Sequence, residues 1–73
     1  MTTRKIRYRI HRNFIYFVRF ILEAYEGVAL MKTIDAPKGI VEIMIAPGCE
    51  NELFAIIDDL SQSIPIIRMN NDQ

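Results

Sequence analysis

Apolar residues along this chain recur with two different periods, and the periods change at places marked by glycine or proline. In Lys5-Ile6-Arg7-Tyr8-Arg9-Ile10-His11 they alternate, which predicts a strand with Ile6, Tyr8 and Ile10 on one face and the charged residues on the other. From Phe14 to Glu26 the period becomes helical, with Asn13 suited to the N-cap and Gly27 to the left-handed residue that follows a helix. Val28 to Asp35 reads as a second strand. Ala36-Pro37-Lys38-Gly39 then supplies proline at the second turn position and glycine where positive φ is wanted, so a hairpin leads into a third strand, Ile40 to Ala46. There Val41, Ile43 and Ile45 alternate with Glu42 and Met44. Pro47-Gly48 ends that strand. Glu50 and Glu52 occupy the first turn of a second helix, where the macrodipole favours acids, and Leu53, Ile56, Ile57 and Leu60 form its apolar stripe. A last strand, Ile64 to Met69, contains Pro65 and so fits only a sheet edge.

The order β-α-β-β-α-β, with right-handed crossovers, predicts an α+β, ferredoxin-like two-layer sandwich. Its sheet would be four-stranded and antiparallel, in the order 4-1-3-2, with both helices on one face. One domain spans residues 1–73. This topology gathers the His11-Arg12-Asn13 loop, the Asp35 to Gly39 turn and the Ser61 to Ser63 loop at one end. Gly27 and Pro47-Gly48-Cys49 go to the other.

A domain this short buries only about 60% of the surface its unfolded chain exposes, which makes self-association a natural source of stability. The first helix points the same way. Phe14, Val18, Ile21, Leu22 and Tyr25 suffice as a stripe facing the sheet, yet Ile15, Tyr16, Phe17 and Phe20 are apolar too. We therefore expect a homodimer with Tyr16, Phe17 and Phe20 in the subunit contact.

Nine basic and nine acidic residues cancel, so no net field steers the chain to nucleic acid or anionic lipid. Five of the basic residues nevertheless fall in the first twelve positions. Lys5, Arg7 and Arg9 would share the uncovered sheet face, a candidate phosphate-binding surface. RNA-binding domains of this topology stack bases on aromatics of the two central strands. Here Tyr8 has the core phase and the third strand offers only Glu42 and Met44 outward, so nucleic acid is the disfavoured partner. The longest apolar stretch, Phe14 to Leu22, is interrupted by Arg19 and falls well short of the roughly 20 residues of a membrane span. With one cysteine and no secretory pattern, a cytoplasmic location is expected.

Nothing in the sequence assembles catalytic chemistry. Cys49 is the sole thiol and His11 the sole imidazole, and the topology sets them on the order of 20 Å apart. A lone Cys and a lone His do not make a metal site, and Asp58 and Asp59, adjacent on a helix, do not converge. The expectation is a protein without enzymatic activity, metal or cofactor. The remaining candidate is the start of the first helix, where His11, Arg12, Asn13 and Phe14 combine a cation with free backbone N–H groups that favour a small anion such as a carboxylate.

The stretch Asn13 to Ile34, a helix followed by Glu26-Gly27-Val28-Ala29-Leu30 and a strand, resembles the first half of an ACT domain, a small ferredoxin-like regulatory module of bacterial enzymes. The whole chain is similar to a small bacterial family of domains of unknown function. The ACT resemblance implies a dimer that holds an amino acid near the loop after the first strand. Such domains favour an Asp-Arg-Pro-Gly sequence in that loop, where this chain has His11-Arg12-Asn13-Phe14. Three readings stand from sequence: a self-associating sensor of a small anion, a phosphate or nucleic-acid binder, and a purely structural interaction module.

Overall fold

The computed structural model describes residues 4–69. Its elements are β1 (Arg4–Ile10), a short 3-10 turn (Arg12–Phe14), α1 (Ile15–Ala24), β2 (Ala29–Asp35), β3 (Ile40–Ile45), α2 (Glu50–Leu60) and β4 (Ile66–Arg68). All strand pairs are antiparallel and the sheet order is β2-β3-β1-β4, the expected ferredoxin-like order read from the opposite edge.

Alternation along β1 and β3 fixes the register, because Ile6 faces Ile43 and Tyr8 faces Val41 on the covered side. A slip of one residue would turn that apolar set out to water. These side chains form one buried cluster with Ile15, Val18 and Leu22 of α1 and with Leu53 and Ile57 of α2. Burying each such aliphatic side chain stabilises the fold by about 1.5–3 kcal/mol. β4 begins only after Pro65 and spans Ile66–Arg68, since proline has no N–H to give the ladder. Ile64 is buried but precedes the strand.

The first helix departs from expectation at both ends. It starts at Ile15, after the 3-10 turn, and that tighter turn takes Phe14 out of the stripe. Ile15 faces the sheet in its place, at the i, i+3, i+7 spacing with Val18 and Leu22, while Phe14 is exposed. Asn13 is not the N-cap, for it lies within the 3-10 turn and its N–H donates to Nδ1 of His11 at 3.2 Å. At the C-terminal end Tyr25 leaves helical geometry, so its side chain no longer follows the stripe and is exposed. Gly27 serves the turn after the helix, in which Val28 N–H donates to Tyr25 C=O at 3.3 Å, and its φ of +80° suits that turn.

Candidate functional site

One end of the sheet is organised by Gly39. The Ile10 N–H donates to the Gly39 carbonyl at 2.7 Å, which docks the β2–β3 turn on the end of β1. Gly39 has φ of +74°, and a Cβ there would collide with the Ile10 carbonyl, so only glycine permits the approach. Within the turn, Asp35 Oδ1 accepts from Lys38 N–H at 3.2 Å, and Gly39 N–H donates to the Ala36 carbonyl at 3.0 Å.

Between this turn, the 3-10 turn and α1 lies a cleft of about 470 Å³, walled by Ile15, Tyr16, Ala36 and Pro37 and carrying Arg12, Asn13, Arg19 and Thr33. Arg19 projects from α1 toward β2, where its Nη2 donates to the Thr33 hydroxyl at 2.8 Å. Its Nε is buried without a hydrogen-bond partner among the described residues. Buried donors of this kind are ordinarily satisfied, and an unpaired one carries a desolvation cost of about 1–3 kcal/mol. Among the described residues no acid lines the cleft. A bulge between Thr33 and Asp35 interrupts the β2–β3 register beside it, so the strand bends where it carries Thr33.

The candidate residues at the helix start part company here. Arg12 and Asn13 line the cleft, whereas His11 lines only a smaller depression of about 210 Å³, with Arg9 and Lys38, which Arg12 also borders. Phe14 faces another way, into a groove of about 620 Å³ that it shares with Phe17, Leu60 and Ile64. Sequence reasoning passed over Arg19 and Thr33. The signal was present in Arg19, the lone cation inside the longest apolar stretch, but its pairing with a β2 hydroxyl depends on the tertiary crossing of helix and strand.

On the outer side of α1, Tyr16, Phe17 and Phe20 are all exposed. On the open sheet face, Arg7 lies opposite Glu42, which lies opposite Lys32, and Arg7 Nε donates to Glu42 Oε2 at 3.4 Å. Lys5 is level with Met44, and Arg9 lies between Ile40 and Ile67. No aromatic ring stands in these rows, so that face offers cations without a stacking surface.

Cys49 precedes α2, and its thiol approaches the Gly27 carbonyl at 3.9 Å, at the sheet end away from His11. Among the described residues no three His, Cys, Asp or Glu side chains gather as a metal site would require. No helix among them is long and apolar enough to cross a membrane.

A family model described as a domain of unknown function, DUF4911, matches residues 8–64, most of the chain. The chain belongs to the DUF4911 family. Neither the curated proteins nor the solved structures hold a match to it. In this DUF4911 domain the matched span runs from mid-β1 to the buried Ile64, so it takes in the cleft and both helices and ends before β4.

Proposed function

We propose that this DUF4911 domain is a non-enzymatic, self-associating module that binds a small anionic ligand in the cleft between α1 and the β2–β3 turn. The observation that carries the reading is Arg19, a guanidinium fixed by Thr33, with Nε unpaired, on the wall of an acid-free cleft. Arg12 adds a second cation at its rim. An anion there supplies countercharge to this guanidinium, and a planar guanidinium suits a carboxylate. The apolar walls of Ile15 and Pro37 suit a short hydrocarbon body. Because no acid lines the cleft, the ammonium of a free amino acid has no countercharge there, so a simple carboxylate fits better. The ACT resemblance points to the same end of the fold.

Titration of the labelled protein with acetate, succinate, citrate and glutamate tests the reading. The expected result is saturable amide shifts at Arg12, Asn13, Arg19, Thr33 and Ala36, strongest for the simple carboxylates. Shifts absent from those residues for every probe would refute it, and shifts confined to Lys5, Arg7 and Arg9 on adding an oligonucleotide would favour a phosphate-binding sheet face.

A further inference from the structure

Three features of α1 bear on what covers its outer face. Tyr16 is 79% exposed, Phe20 69% and Phe17 49%, and their helical spacing sets them on the side opposite Ile15, Val18 and Leu22. Surface this apolar on so small a domain ordinarily marks a contact site. The flanks of the patch are charged with opposite signs. Arg12 stands a turn before Tyr16, Glu23 follows Phe20 within a turn, and both are exposed.

We propose that a second copy of this chain covers this face, α1 packing antiparallel on α1 about a two-fold axis between Tyr16 and Phe20. The proposal rests on the self-association part of the reading above, and it shares Arg12 and Tyr16 with the border of the cleft. Antiparallel packing lays Tyr16 of each copy on Phe20 of the other. The Arg12 flank then meets the Glu23 flank twice by symmetry, as a self-complementary contact requires. Parallel packing would set Arg12 against Arg12 and Glu23 against Glu23. The patch thus matches its own image when reversed, which singles out a second copy over an unrelated helix.

Sedimentation equilibrium across the micromolar range tests this with four proteins besides the unaltered one. The unaltered chain sediments as a dimer. Phe20→Glu sediments as a monomer and keeps its far-UV circular dichroism, because Phe20 lies outside the core. Arg12→Glu and Glu23→Arg each weaken the dimer, roughly two- to tenfold for rim charges, and the combined exchange recovers it. A monomeric unaltered chain overturns the self-association reading and this contact together. A dimer that survives Phe20→Glu overturns this contact alone and leaves self-association through another surface. Loss of the dimer in Phe20→Glu without recovery in the combined exchange overturns the antiparallel register.

Discussion

Arg19 and Thr33 join α1 to the edge strand β2 through a single 2.8 Å hydrogen bond from guanidinium to hydroxyl. The bond crosses between the two layers at the wall of the cleft, so one contact fixes both the helix against the sheet and the cation against the cavity. Thr33→Val keeps the branched shape and removes the acceptor. We expect a loss of about 1–3 kcal/mol in stability, since a charged donor loses its partner, together with weaker carboxylate binding. Urea unfolding followed by calorimetric titration measures both, and an unchanged affinity would separate Thr33 from the site.

Gly39 makes a sharper structural prediction. Its positive φ and the closeness of the Ile10 carbonyl leave no room for a Cβ. Gly39→Ala should cost roughly 2 kcal/mol or more, from the left-handed backbone and from displacement of the turn off β1. Gly27 also has positive φ but nothing within 4 Å of a Cβ, so Gly27→Ala should cost less. Comparing the two urea midpoints checks this ordering.

Tyr8 gives a pH signature. Burial pushes its phenol up from the ordinary value of 10.0, while Arg68 and then Arg4 pull it partly back. The unfolded chain therefore gives up the proton at a lower pH than the folded one. The contribution of Tyr8 is fully present below about pH 10 and is lost as pH rises through the folded value. Thermal unfolding between pH 8 and 11 should show a steeper fall in stability above pH 10 for the unaltered protein than for Tyr8→Phe. Equal slopes would mean that the phenol is not desolvated.

Cys49 should be dispensable. Its thiol makes one long hydrogen bond, to the Gly27 carbonyl, it packs at the margin of the core, and it has no histidine at its end of the sheet. Cys49→Ser should alter stability by about 1 kcal/mol or less and leave carboxylate affinity unchanged. A larger loss of binding would show that the thiol end and the cleft are coupled.

Much of the fold was legible because β1 and β3 are central strands with one wet and one dry face, and that difference is written directly in the alternation of Ile6, Tyr8 and Ile10 with Lys5, Arg7 and Arg9. The helix ends were less so. His11 resembles a strand residue and Asn13 a cap, yet the backbone tightens into a 3-10 turn that reverses those roles and exchanges Phe14 for Ile15 in the core. The candidate site was half legible for a similar reason. Arg12 and Asn13 belong to the expected loop, but Arg19 and Thr33 are fourteen positions apart and meet only because α1 crosses over β2. Spacing along a chain carries periodicity within an element, and it carries little about which side chains meet between elements.

The most direct measurement of the central claim is a calorimetric titration of succinate into the unaltered protein and into Arg19→Gln at low ionic strength, where screening is weakest. The account predicts saturable one-site binding to the unaltered domain and a loss of roughly tenfold or more in Arg19→Gln, the scale of one charge-assisted hydrogen bond. No heat beyond dilution in the unaltered protein, or equal affinity in the two, would contradict it.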